Sequence, residues 1–140
     1  MKSIKTLRLF GLNIVFCAAV MLGGCRRAAP PPVPIADLTG TWQGTFQGPA
    51  IKGGKIVFEL NQSGTAISGR FIAQDPVSGE IQGSYKDQSL VISLKQLSPQ
   101  GCSGSFAGGG RVDDKAISLY ISGTNCYSTI SNEQAILTKQ

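Results

Sequence analysis

The sequence predicts an all-β protein, an antiparallel meander of about eight strands closing into a small up-and-down barrel. Three observations carry this expectation. From Gly40 onward, apolar and polar residues alternate with the period of two that a half-buried strand requires. Glycine is abundant, at 18 of 140 residues, and turn-forming clusters recur between the alternating runs. Outside the N-terminal segment, no apolar stretch of helical period is long enough to form a stable helix. Short connections demand sequential antiparallel pairing, and such a meander closes most simply into a barrel; a two-sheet sandwich is the alternative. The length accommodates one folded domain.

Residues 1–24 are unlike the rest. Lys2, Lys5 and Arg8 form a basic start without acids, and Leu9 to Leu22 is an apolar run broken mainly by Gly11 and Asn13. The run falls short of the roughly 20 apolar residues of a membrane-spanning helix and reads as a secretory signal peptide. It ends in Leu22-Gly23-Gly24-Cys25, which resembles the bacterial lipobox. The resemblance implies a lipoprotein in which Cys25 carries palmitate-type acyl chains and becomes the first residue of the mature protein. An ordinary signal peptide followed by a chance cysteine is the alternative. Arg26 stands where an inner-membrane retention signal would place Asp, so in a diderm host the expected address is the outer membrane, facing the periplasm. The membrane is then one partner, held through the lipid.

Residues 25–38 are expected to form a tether. Ala28-Ala29-Pro30-Pro31-Pro32-Val33-Pro34 favours extended polyproline II, and at about 3.1 Å per residue the segment spans roughly 40 Å. Arg26 and Arg27 would touch anionic headgroups at about 1 kcal/mol each. Of the 13 basic residues, three leave with the signal and these two flank the lipid, so 8 basic residues face 8 acidic ones in the remainder. The domain is neutral and carries no basic stripe, which argues against nucleic-acid binding. Cys17 is removed with the signal and Cys25 is acylated. Cys102 and Cys126 remain in an oxidising compartment, where they are expected to form a disulfide.

The domain, residues 39–140, divides into expected strands at 40–47, 54–61, 65–73, 80–86, 89–96, 102–112, 116–124 and 132–139. Folding the second and third about Ser63-Gly64 places Leu60 opposite Ile67, Phe58 opposite Gly69 and Ile56 opposite Phe71. Asp75 to Gly79 is read as a turn. The next hairpin turns through Asp87-Gln88, with Tyr85 opposite Leu90, Gly83 opposite Ile92 and Ile81 opposite Leu94. The pattern Ile-x-Gly-x-aromatic thus occurs at 67–71 and again at 81–85, where glycine lets the sheet coil. In the third hairpin Cys102 and Cys126 are equidistant from Asp114, which sets them opposite each other. That register leaves Ile117, Leu119 and Ile121 out of step with Phe106 and points to a bulge at Gly108-Gly109-Gly110. In the last strand Ala135 and Leu137 share one face and Ile136 takes the other.

Gly40-Thr41-Trp42 on the opening strand of a meander barrel resembles the calycin group, the lipocalins and avidin-like proteins, in which the Trp plugs one end. The resemblance implies a barrel shape, of nearer the avidin-like size, with Trp42, Gly44 and Phe46 facing inward and Thr41, Gln43 and Thr45 facing solvent. It implies no particular ligand: Trp42 is the single Trp, where avidin-like sites have several. The basic side chain and trailing helix that accompany the Trp in lipocalins find no counterpart in this reading.

Catalysis is not expected. With no His, neither Ser-His nor Cys-His nucleophiles nor imidazole metal sites are possible. Most of the acids are read as turn or outward positions: Asp113-Asp114 lacks the ligands of a calcium loop, and Glu59 with Arg70 is a diagonal surface pair. No metal or cofactor is expected. Two functions remain. One is a barrel binding a small apolar or amphipathic ligand through Trp42, Phe46, Phe58, Phe71, Tyr85 and Leu90. The other is a protein-interaction module, an envelope protease-inhibitor-like or assembly-accessory protein, presenting Leu97 to Gly101 or the 124–131 stretch with Tyr127. Some bacterial protease inhibitors are small disulfide-bonded barrels of calycin-like shape, so the resemblance allows both. A dry, filled barrel favours the second, and an open pocket of roughly a few hundred Å³ the first.

Overall fold

The computed structural model describes residues 36–74, 77–97 and 101–140. The expected signal peptide, Cys25 and the tether as far as residue 35 lie outside the described residues, as do Asp75, Pro76 and 98–100. The eight elements are all strands: β1 Gly40–Phe46, β2 Lys55–Ser63, β3 Ala66–Ala73, β4 Ser78–Lys86, β5 Ser89–Gln96, β6 Gly104–Val112, β7 Ala116–Asn125 and β8 Thr129–Lys139. Each pairs antiparallel with its sequence neighbours, and β8 returns to β1, with Trp42 opposite Lys139 and Phe46 opposite Ala135. The meander barrel expected from the sequence is the observed fold, and the sandwich is not.

The hairpins differ in how closely they follow expectation. β4 and β5 pair as expected, Tyr85 to Leu90, Gly83 to Ile92 and Ile81 to Leu94. Asp87 and Gln88 adopt φ of 50° and 64°, the two positive values that a two-residue turn matching strand twist requires. In the β2–β3 hairpin the register is two residues away from expectation: Phe58 faces Phe71, Leu60 faces Gly69 and Ile56 faces Ala73. The cause is the turn. Gly64, at φ 60°, takes the first of two loop positions, so the loop is Gly64-Thr65 rather than Ser63-Gly64. Glu59 consequently stands directly opposite Arg70, which faces Glu80 on its other side.

The β6–β7 hairpin corrects a second expectation. Phe106 pairs with Gly123, Gly108 with Ile121, Gly110 with Leu119 and Val112 with Ile117, with no bulge in β6. The cysteines lie beyond the ladder, so their bridge does not set its register. The irregularity is in β8, where Ile121 faces Glu133 but Gly123 faces Ile130. Asn132, at φ 55°, bends the strand there and donates its N–H to Ser122 Oγ at 2.7 Å. The Asp75-to-Gly79 turn is also shorter than expected, since Ser78 and Gly79 already belong to β4.

Inward glycines make the tight closure possible. A Cβ at Gly44, Gly69, Gly79, Gly83, Gly110 or Gly123 would overlap a backbone carbonyl of the adjacent strand. The wall coils sharply there, as a small barrel must. Large side chains occupy the space left over: Trp42, Phe58, Ile81, Leu90, Ile117, Leu119 and Leu137 are almost wholly buried. Thr41 and Gln43 face solvent as expected, and Thr45 is half-buried.

One end is plugged. The segment preceding β1 crosses it, with Leu38 buried and its N–H bonded to Gln62 Oε1 at 2.8 Å. The Trp42 indole N–H donates to Leu38 O at 2.9 Å. Lys139 Nζ stands 5.6 Å from the indole centroid and donates to Asp37 O at 3.0 Å. Lys139 is therefore the basic neighbour of the Trp for which the sequence offered no candidate: it becomes visible only when β8 closes onto β1.

Candidate functional site

The other end of the barrel is open. Its connections are the β1–β2 loop, residues 47–54, the β3–β4 link, residues 74–77, the β5–β6 loop, residues 97–103, and the β7–β8 turn, residues 126–128. Among the described residues, a cavity of about 170 Å³ lies at this end. Phe46, Ile56, Phe71, Leu94, Phe106, Ile121 and Ile130 line it from the strands, and Ile51 reaches in from the β1–β2 loop. Gln74, Asn125 and Ser128 supply its polar wall. Among the described residues, charged side chains are absent from the lining.

Of the six residues expected to contact a ligand, only Phe46 and Phe71 belong to this wall. Trp42, Phe58, Tyr85 and Leu90 are buried in the filled part of the barrel. The sequence identifies inward residues correctly but does not show which level of the barrel each occupies.

Three polar residues at this end escape the sequence reading. Gln96 is 2% exposed; its Oε1 accepts a hydrogen bond from Asn125 Nδ2 at 3.0 Å, and its Nε2 lies 3.8 Å from Cys102 Sγ. Asn125 Oδ1 in turn accepts the backbone N–H groups of Tyr127 at 2.9 Å and Ser128 at 2.8 Å. The disulfide between Cys102 and Cys126, with Cα atoms 5.6 Å apart, ties the β5–β6 loop to this turn. The third residue is Glu133, 3% exposed although a carboxylate is ordinarily a surface group. Its Oε1 accepts the Ala50 N–H at 3.3 Å, while Oε2 has no hydrogen-bond partner. The strand period was a usable signal for two of the three: Gln96 shares parity with Leu90, Ile92 and Leu94, and Glu133 with Ala135 and Leu137.

Of the surfaces expected to meet a protein partner, Leu97 and Tyr127 lie at this same end. Leu97 is 46% exposed and Tyr127 69% exposed. Asp113 and Asp114 are exposed in the β6–β7 turn at the plugged end, and among the described residues no three acids or cysteines converge to hold a metal ion.

No protein-family model and no curated protein matches the sequence. Among solved structures, the chain is similar to a redesigned β-barrel, mFAP1, bound to DFHBI. The TM-score is 0.50 at 17% identity, over 74% of this chain and 94% of that one. At that identity the likeness is one of fold, a small eight-stranded antiparallel barrel.

Proposed function

We propose that this chain is a lipid-anchored β-barrel of the bacterial envelope that takes a small, largely apolar ligand into its open end and performs no catalysis. The cavity of about 170 Å³ carries the ligand-binding reading. An apolar protein cavity of about 150 Å³ admits benzene, whereas sites for drug-sized molecules span roughly 300–1,000 Å³. The occupant is accordingly one ring or a short branched chain. The barrel of similar fold bound to DFHBI supports the idea that such a scaffold can hold a small molecule. The envelope address rests on the lipobox-like Leu22-Gly23-Gly24-Cys25 and the basic, apolar leader before it.

Toluene should raise the melting temperature of the purified protein and shift the methyl NMR signals of Ile121 and Ile130. Ile121→Trp, which fills the space, should abolish both effects. An unchanged melting temperature and unchanged spectra would reject the ligand-binding reading. For the anchor, Cys25→Ala should stop acyl labelling and release the domain from membranes; continued acylation would reject the lipoprotein reading.

The exposed Leu97 and Tyr127 at the open end favour a second reading, an inhibitor or assembly accessory. In that case the cavity receives an apolar side chain of an envelope protein. Tyr127→Ser should then abolish co-purification of that protein while leaving toluene binding intact.

A further inference from the structure

We infer that the open-end cavity selects an uncharged, ring-sized ligand bearing one hydrogen-bond-accepting oxygen, and that Asn125 orients it. This rests on the ligand-binding reading and narrows it to a chemical class.

The first ground is the hydrogen-bond inventory of the polar wall. Asn125 Oδ1 is engaged by the backbone N–H groups of Tyr127 and Ser128, and the Ser128 hydroxyl is directed at it from 3.4 Å. These contacts fix the amide's orientation. Of the two Asn125 Nδ2 protons, one goes to Gln96 Oε1 and the other has no partner among the described residues. The spare capacity of this fixed amide is a donor, which calls for an acceptor from the ligand. The donor is also held in place, because Gln96 is buried and the adjacent Cys126 is bridged to Cys102. A preorganised donor in an apolar surround gains more from its partner than a mobile one in water.

The second ground is charge. Among the described residues, the cavity wall contains no charged side chain. The buried carboxylate at this end, Glu133, lies outside the wall, and a Cβ at Gly48 would collide with its unpartnered Oε2. An anionic ligand entering the cavity would lose hydration without gaining a counter-charge, and would meet the field of Glu133 in a poorly screened setting. A cationic ligand would likewise lose hydration and would find Glu133 covered by the β1–β2 loop. A neutral acceptor such as an ether or ketone suffers neither loss.

Four one-ring probes test this against the full-length protein by calorimetry: toluene, anisole, benzoate and benzylammonium. Anisole should bind several-fold tighter than toluene, and both ions should bind at least tenfold more weakly than anisole. Asn125→Asp keeps the oxygens that order the 126–128 turn but removes the spare N–H. It should abolish the advantage of anisole over toluene, both measured on the same variant. In the wild-type protein, anisole but not toluene should shift the Asn125 side-chain amide signals, which tests the inference even if the variant folds poorly. Equal binding of anisole and toluene would overturn the donor role while leaving the cavity reading intact. Tightest binding of benzylammonium would overturn the neutral class in favour of recognition by Glu133. Failure of all four probes would overturn the ligand-binding reading itself.

Discussion

At the plugged end of the barrel, two turns of two residues, Gly64-Thr65 and Asp87-Gln88, and one of three, residues 113–115, join neighbouring strands. Trp42, Leu38 and Leu137 fill the space between them, and the indole N–H, the Leu38 N–H and the Lys139 ammonium each have a partner. At the open end, the loops are longer, a cavity lies among the described residues, two polar side chains are buried, and one carboxylate oxygen is left without a partner. Turn chemistry, packing and polar satisfaction agree at the first end and conflict at the second. Departures of this kind concentrate where a protein binds something, because a site keeps space and hydrogen-bonding capacity that a purely structural core would fill. The contrast therefore sets a filled, satisfied end against an unfilled one, and the proposed binding belongs to the second.

The largest test of that division is Trp42→Ala. Removing a buried indole costs about 3–5 kcal/mol, a large share of the roughly 5–15 kcal/mol available to a small domain. Denaturant unfolding followed by circular dichroism should show this loss. Phe106→Ala, which trims a half-buried ring beside existing space, should cost clearly less. Equal losses at the two positions would dissolve the contrast. Native indole emission should also be blue-shifted and move to the red on unfolding, since Trp42 is 2% exposed.

Replacing Cys102 and Cys126 by Ser comes next. Opening a loop with a sequence separation of 24 costs on the order of 3.5 kcal/mol in the chain-entropy treatment. Amide exchange should accelerate first at residues 101–103 and 126–128. Faster exchange beginning around Trp42 would show that the ends are not independent.

Glu133→Gln should act in the opposite direction. It retains an acceptor for the Ala50 N–H but removes a buried charge whose second oxygen is unpartnered. A gain of about 1 kcal/mol at neutral pH is expected from chemical denaturation. A loss would mean that this carboxylate stabilises the fold.

The smallest effect belongs to Asp37 at the plugged end. The Thr39 N–H and then the Thr39 side chain lower its carboxyl below the ordinary value of 3.8 against an opposing desolvation, with the Lys139 charge adding least. A lowered folded-state value contributes stability above the ordinary one, and this contribution disappears as pH falls through the folded value. Asp37→Asn should therefore reduce thermal stability slightly at neutral pH and have no effect in strong acid. A difference that persists in acid would assign the effect to packing instead.

The three hairpins show how far register was legible from sequence. Asp87-Gln88 specified its turn because the paired faces and the loop length agreed. The β2–β3 hairpin misled because a two-residue slip leaves every side chain on its original face, so the hydrophobic pattern cannot detect it; a one-residue slip would have exposed the core. In the β6–β7 hairpin the symmetry of the cysteines about Asp114 was not a guide, because their bridge lies past the end of the ladder. Glu133 was overlooked for a different reason. Its parity with Ala135 and Leu137 points inward, but a carboxylate is ordinarily assigned to the surface.

The sequence alone determined the strand count, the sequential antiparallel order and the division into inward and outward residues. These are local properties, set by side-chain alternation and by the positions of turn residues. Tertiary structure decided that Lys139 meets Trp42, that Glu133 is sealed beneath the β1–β2 loop and that four of six inward residues lie away from the cavity. The physical reason is closure. A void, a plug and an unpartnered oxygen depend on which strand ends meet around the barrel and how much volume their side chains leave, and no single strand carries that information.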